Sequence, residues 1–130
     1  MPIRRVPDTG GFGEAAAYSR AVRRGTWIAG SATAPLEDGV VVHPGDAYRQ
    51  ALAAIDRALV AIEALGGTAA DVVRTRLLLA PGCDWRAVVQ AHRERFADAP
   101  PANTTYFVGG FIPEGVLVEV ELDAVASEDA

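Results

Sequence analysis

Leu117-Val118-Glu119-Val120-Glu121-Leu122 constrains this chain more than any other stretch, because Val118, Val120 and Leu122 alternate with Glu119, Glu121 and Asp123. Successive side chains of a strand point to opposite faces, so these residues form a strand with an aliphatic face for the core and a carboxylate face behind it. The earlier stretch Val72-Val73-Arg74-Thr75-Arg76-Leu77-Leu78-Leu79 reads as a second strand, with Arg74 and Arg76 sharing one face. Guanidinium and carboxylate groups are therefore expected to meet on one side of a sheet, where arginine can grip a carboxylate through two parallel N–H groups. Such pairs contribute little when solvated. The charged face is either a solvated surface or part of a cleft or subunit interface.

The rest of the chain supplies the partners of these strands. Ile3 to Val6 reads as a short edge strand, followed by a glycine loop, Thr9-Gly10-Gly11-Phe12-Gly13, which lacks the flanking strand and helix of a phosphate-binding fingerprint. Tyr18 to Arg23 and Thr26 to Thr33 read as a hairpin joined at Arg24-Gly25. Ala34 to Pro44 is a loop with a brief extended piece at Val40-Val41-Val42. Tyr48, Ala51, Leu52, Ile55, Ala58, Leu59, Ile62 and Leu65 then recur at helical spacing, in a helix begun near Asp46 and ended by Gly66-Gly67. A second helix has Asp84 as its N-cap and Trp85, Val88, Val89, His92 and Phe96 as its apolar stripe. Asn103 to Phe111 and Val116 to Ala126 read as two strands joined by the turn Ile112-Pro113-Glu114-Gly115. With 130 residues, half of them hydrophobic, this β-β-β-α-β-α-β-β order predicts a single α+β domain over residues 1–130. Its two helices cover one face of a mixed sheet, and the other face needs water or a second subunit.

Composition narrows the chemistry. A net charge of −5 argues against a nucleic-acid partner, which would require basic patches. All 12 basic residues are arginine, which excludes a lysine Schiff base, a covalent pyridoxal phosphate site and a P-loop. The N-terminal stretch, with Arg4, Arg5 and Asp8, has no apolar run of signal or membrane-spanning length, so no membrane association and a cytoplasmic location are expected. The lone Cys83 agrees with a reducing compartment. His43, His92 and Cys83 have no metal-ligand spacing, so no metal is expected; His92 reads as a core histidine and Cys83 as a thiol without a role. Gly30-Ser31-Ala32 lacks a nucleophile elbow, which leaves the backbone amides beside Gly30 and Ser31 to hydrogen-bond a substrate. Tyr18 is an edge-strand aromatic or a site residue. Glu119, flanked by core valines, is placed to hold or deprotonate water in a cleft.

Several stretches in order resemble one family. They are Tyr18, Ile28-Ala29-Gly30-Ser31, Gly45-Asp46-Ala47-Tyr48-Arg49-Gln50, Val72-Val73-Arg74-Thr75-Arg76, Asp84-Trp85, Pro101-Ala102-Asn103-Thr104-Thr105 and Leu117-Val118-Glu119-Val120-Glu121. Together they resemble the Rid family, also called YjgF/YER057c/UK114, over nearly the whole chain. The resemblance implies a chorismate-mutase-like α+β fold and a homotrimer with a central β-barrel, outer helices and three intersubunit clefts. In the best-known branch those clefts bind small 2-imino or enamine acids and hydrolyse them to 2-keto acids and ammonia, without a cofactor. Carried onto this chain, Glu119 positions water, Tyr18, Gly30, Ser31 and Thr105 are substrate-binding positions, and Trp85 stands for an aromatic contributed across the interface. The arginine that clamps the substrate carboxylate in that branch follows Pro-Ala. Here Asn103 follows Pro101-Ala102, a neutral amide that cannot neutralise a carboxylate. The segment to Pro113 is also one residue longer than in the arginine branch.

The resulting expectation is hydrolysis of an imine, enamine or related C–N metabolite, with Glu119 holding water, Asn103 and Tyr18 orienting the substrate, and weak turnover of 2-iminobutanoate and 2-iminopropanoate. A non-catalytic, metabolite-binding or regulatory trimer is the alternative. RNA cleavage, carried by the family label "endoribonuclease L-PSP", is disfavoured by the acidic balance and the lack of a general-base histidine pair.

Overall fold

The protein is described by a computed structural model at residues 2–8 and 12–128. In chain order the elements are β1 (Ile3–Pro7), α1 (Phe12–Ala16), β2 (Ser19–Arg24), β3 (Trp27–Thr33), β4 (Leu36–Glu37), β5 (Val40–Val41), α2 (Ala47–Ala64), β6 (Val72–Leu79), α3 (Trp85–Phe96), β7 (Ala102–Phe107) and β8 (Val118–Val125). A single turn of 3₁₀ helix, Ala69–Asp71, leads into β6. Six strands form one mixed sheet in the order β1-β2-β3-β8-β6-β7, and β4 pairs with β5 in a separate small hairpin.

β8 lies between β3 and β6, and its aliphatic alternation puts Val118, Val120, Leu122 and Ala124 on one buried face. Helix α2 covers that face with Ala51, Ala54, Ile55, Ala58 and Ile62, all buried. It starts where the Asp46 side chain accepts a hydrogen bond from Arg49 N at 2.9 Å. It stops at Gly66, whose φ of +87° is left-handed. That conformation lets Gly67 N donate to Ile62 O and Gly66 N to Glu63 O, each at 3.0 Å, satisfying the last turn's carbonyls. Helix α3 packs beside α2 through Val88, Ala91 and Phe96. Its expected stripe is narrower than its sequence suggested, because Trp85 and Val89 are both 43% exposed.

The two C-terminal strands do not pair with each other. β6 lies between them, antiparallel to β8 and parallel to β7. The chain from β6 through α3 to β7 is a crossover unit, and such a unit returns the chain parallel to its first strand. Residues 108–117 are therefore a long connection rather than a hairpin turn, and the strand expected to reach Phe111 ends at Phe107. Smaller differences fall at turns. The first hairpin turns at Gly25-Thr26, with Gly25 at φ +60°, rather than at Arg24-Gly25. Phe12 and Gly13 belong to α1 rather than to a loop, while Thr9, Gly10 and Gly11 lie outside the described residues.

The charged side of the sheet is real, but it is partnered differently from the expectation. Arg74 lies opposite Asp123, and Arg76 opposite Glu121. Arg76 Nη1 is 3.5 Å from Glu121 Oε2 and 3.6 Å from Asp123 Oδ2, so one nitrogen is shared between two carboxylates instead of forming a two-pronged grip. Glu119 is opposite Leu78 and takes no part in this group. A register shift between Val72 and Arg74 makes Val73 an extra residue, so that Val72 and Thr75 both turn to the core.

Candidate functional site

Glu119 is held by the same alternation that builds the core. With Val118 and Val120 fully buried on the helix side, its carboxylate must emerge on the opposite side, near the start of β8. There the register with β3 slips: Gly30 pairs with Leu122 and Thr33 with Val120, so β3 carries one extra residue across Ser31-Ala32 and bends away. The bend opens a cleft of about 740 Å³ that Tyr18, Arg20, Ser31, Arg57, Phe111 and Glu119 help to line.

The cleft's electrostatics come from one carboxylate and two guanidiniums, Arg20 the most deeply buried of the three. Burial pushes the Glu119 carboxyl above the usual range, the Arg20 and Arg57 guanidiniums pull it back, and Glu121 adds to the rise. Glu119 makes no hydrogen bond or ion pair among the described residues. Arg20 is committed: its Nε lies 3.2 Å from Asp8 Oδ1, and its Nη2 donates to Ala32 O at 3.1 Å, strapping the bent strand. Its guanidinium also lies 5.6 Å from the Tyr18 ring centre. Arg57, on α2, donates through Nη1 to Ala34 O at 3.2 Å, while burial and the nearby Arg20 charge lower its pKa. Burial and Asp8 raise the Tyr18 phenol. Arg20, Arg57 and Asp8 were not identified from sequence. An arginine on the flank of a helical stripe has no mark in the periodicity, and only the bend of β3 brings Arg57 to the cleft.

The remaining anticipated residues divide. At Gly30 an added Cβ would lie 3.1 Å from Leu122 O, a tight contact, so close strand packing also favours glycine there. Ser31 Oγ donates to Ser19 O at 2.6 Å. Gly30 lines a second pocket of about 350 Å³, to which Tyr18 and Ser31 contribute as well. Trp85 is remote from both, at the start of α3, with the Arg86 guanidinium 4.4 Å from its ring centre.

Asn103 and Thr105 lie at the far edge of the sheet, opposite Thr75 and Leu77, whose side chains face the helices. Asn103 Nδ2 donates to Thr75 Oγ1 at 3.0 Å, and Thr105 Oγ1 donates to Asn103 Oδ1 at 2.8 Å. Thr75 Oγ1 is 2.8 Å from His92 Nε2. Because the amide donates to the threonine oxygen, the single hydroxyl proton is available to His92, which then accepts through Nε2 as a neutral ring. Burial lowers the His92 pKa and favours that neutral form. Within one chain, then, Tyr18, Ser31 and Glu119 come together, whereas Asn103 and Thr105 sit two strands away on the opposite face. At strand spacing that is roughly 10 Å, too far for both groups to touch one small molecule from the same subunit. Among the described residues no three His, Cys, Asp or Glu side chains are grouped as metal ligands, and no helix is long and apolar enough to cross a membrane.

The fold and the sequence both have relatives among known proteins. Residues 11–126 match the family described as Endoribonuclease L-PSP. The chain is 35% identical over 122 residues to the uncharacterized protein SCO2049 of Streptomyces coelicolor, covering 94% of this chain and 91% of that one. Among solved structures, Rv2704 of Mycobacterium tuberculosis, a member of the YjgF/YER057c/UK114 family, superimposes with a TM-score of 0.86 at 33% identity, covering 96% of this chain and all of its own. The YjgF gene product of E. coli gives a TM-score of 0.77 at 26% identity, covering 95% of this chain and 94% of that one. On its sequence match across nearly its whole length, and on the fold it shares with these structures, the chain belongs to the endoribonuclease L-PSP family, the YjgF/YER057c/UK114 proteins.

Proposed function

We propose that the protein is a hydrolase of an imine, enamine or related C–N metabolite, acting in clefts between the subunits of a homotrimer. The observation that carries this reading is Glu119: a half-buried carboxylate with a raised pKa and no hydrogen bond or ion pair among the described residues, facing a cleft beside Tyr18. Burial makes the Glu119 carboxylate a stronger base than a solvated one, suited to taking a proton from water and returning it. Glu119 accepts a proton from water as the water oxygen bonds to the carbon of C=N. The nitrogen is protonated in turn, and the carbinolamine collapses to C=O and ammonia. The opposite-face placement of Asn103 and Thr105 supports a cleft to which one subunit gives Glu119 and Tyr18 while its neighbour gives Asn103, Thr105 and Trp85. Three carboxylates, Asp8, Asp38 and Glu119, against two guanidiniums make the cleft a poor seat for a polyanion such as RNA.

One observation favours the second reading, a metabolite-binding trimer without turnover. Asn103 is already engaged by Thr75 and Thr105, which leaves less of its amide for orienting a substrate. The deciding experiment generates imines from a panel of amino acids with an amino-acid oxidase and follows their loss and ammonia release. Acceleration by the wild type that disappears in Glu119→Gln, with the melting temperature and assembly retained, supports the hydrolase. No acceleration across the panel, with ligand binding present, gives the cleft to the binding reading.

A further inference from the structure

We infer that Arg57 is the acid anchor of this cleft, and that the ligand is a carboxylate with an apolar body, its acid group on Arg57 and its C–N group toward Glu119. The C–N end of this assignment rests on the hydrolase reading; the acid end does not. Arg20 and Arg57 are the two cations lining the cleft, and Arg20 is consumed by Asp8, Ala32 O and the Thr33 hydroxyl. Arg57 spends only Nη1, on Ala34 O, and makes no ion pair with a carboxylate among the described residues. Nε–H and Nη2–H remain, side by side, in the fork that binds a carboxylate through two parallel hydrogen bonds. A half-buried cation without a counter-ion is costly to keep, and a ligand anion removes that cost. The pKa of Arg57 is lowered first by burial and then by Arg20, with Asp8, Tyr18 and Glu119 opposing the shift from a distance.

The position that carries the carboxylate-binding arginine in the resembled branch cannot do this work here. Asn103 is neutral, and its amide is already bonded to Thr75 and Thr105. The body of the ligand follows from size and lining. Within one chain the cleft measures about 740 Å³, within the range of drug-sized ligands even before a neighbour's side chains enter it. Leu36 and Phe111 line it, and at its mouth Phe12 and Ile112 are 57% and 80% exposed, apolar surface that an aromatic or long aliphatic group covers.

Calorimetric titration of the purified protein with phenylpyruvate, 2-oxobutanoate and the neutral ketone phenylacetone tests the assignment. Phenylpyruvate is expected to bind more tightly than either of the others. Arg57→Gln should weaken it at least about tenfold, to the level of phenylacetone, whose own binding does not change. Arg57→Lys, which keeps the charge but loses the fork, should fall between; if Arg57→Gln does not fold, this variant and the acid-against-ketone preference of the wild type decide. Equal binding of acid and ketone by the wild type, or wild-type affinity for phenylpyruvate in Arg57→Gln, overturns the anchor. Imine turnover measured on the same proteins separates the two claims. Arg57-dependent acid binding without any turnover keeps the anchor and removes the hydrolase. Turnover with a KM indifferent to Arg57 removes the anchor and keeps the hydrolase.

Discussion

Replacing Thr75 with valine exchanges one hydroxyl for a methyl at a position with 0% exposure, and so tests the hydrogen-bonded chain that runs through the sheet from Thr105 to His92. Two bonds of the threonine are lost, each worth about 0.5–1.5 kcal/mol net. Asn103 is exposed and regains water, but the half-buried His92 Nε2 does not, which adds about 1 kcal/mol or more for an unsatisfied group. The additional buried methyl offsets about 0.8 kcal/mol. The balance is a loss of about 2 kcal/mol, or a fall in melting temperature of about 6–10 °C for a domain of this size. Calorimetry at one fixed protein concentration measures it, since any assembly makes the melting temperature depend on concentration. Ring-nitrogen NMR of His92 supplies the second readout: the wild type should show the tautomer with its proton on Nδ1, and Thr75→Val a mixture. The pH sign follows from the lowered His92 pKa. Between that value and the ordinary 6.5 the unfolded chain binds more protons, so this contribution is complete above about pH 6.5 and is lost as pH falls toward the folded pKa. A Thr75→Val protein with the wild-type melting temperature and an unchanged histidine spectrum refutes the reasoning, and with it the idea that Asn103 is held in place from the core.

Glu119→Gln should be at least as stable as the wild type at neutral pH, read by thermal melting. With its folded pKa raised, the carboxyl favours the fold below its unfolded pKa and loses that contribution as pH rises through the folded value. Arg23, only 2% exposed, donates to Gly25 O at 2.8 Å and to Leu65 O and Ser127 O at 2.7 Å each, joining β2 to the end of α2 and to the C-terminal segment. Arg23→Met should therefore cost about 3–5 kcal/mol in denaturant titration, and a cost below about 1 kcal/mol would show those bonds to be replaceable by water. Light scattering at micromolar concentration should report about three chain masses; a monomer removes the intersubunit cleft. Asn103→Arg should raise the slow turnover of 2-iminobutanoate in part, and efficient wild-type turnover, comparable with an arginine-containing relative, defeats the argument that Asn103 redirects the site.

What the sequence disclosed and what it hid divide along a physical line. Alternation at Val118-Glu119-Val120 and helical spacing from Tyr48 to Leu65 are properties of single segments, and both describe which face of an element is apolar. Caps at Asp46 and Asp84 are equally local, and both side chains accept the expected hydrogen bonds. Alternation does not say which strand lies beside which, so the placement of β6 between β7 and β8 could not be read from it. It also fails at a bulge. The extra residues at Val73 and across Ser31-Ala32 shift the face of everything beyond them, and the second of these shifts creates the cleft. Glu119 was legible because core valines bracket it. Arg57 was not, because its importance depends on the bend of a distant strand.

The division of faces in the sheet carries an argument about assembly. In β8 the residues that hold the fold and those available for function alternate, so the outward side chains can vary without disturbing a buried one. The outward face is not an ordinary solvated surface either. Ile3, Trp27 and Val125 are between 41% and 48% exposed there, beside Arg74, Arg76, Glu121 and Asp123. A face that meets copies of itself must keep its charge nearly balanced, since like charges brought together cost several kcal/mol. Arg74 and Arg76 against Glu121 and Asp123 meet that condition, with Arg76 already bridging both carboxylates inside one chain. Apolar side chains around a neutralised charged centre suit self-association better than they suit water. The same geometry leaves Asn103 and Thr105 on one side of the sheet and Glu119 on the other, so a molecule touching all three must lie between two chains. For such a ligand, association is part of building the site, and dilution below the assembly threshold should abolish binding while each subunit still folds.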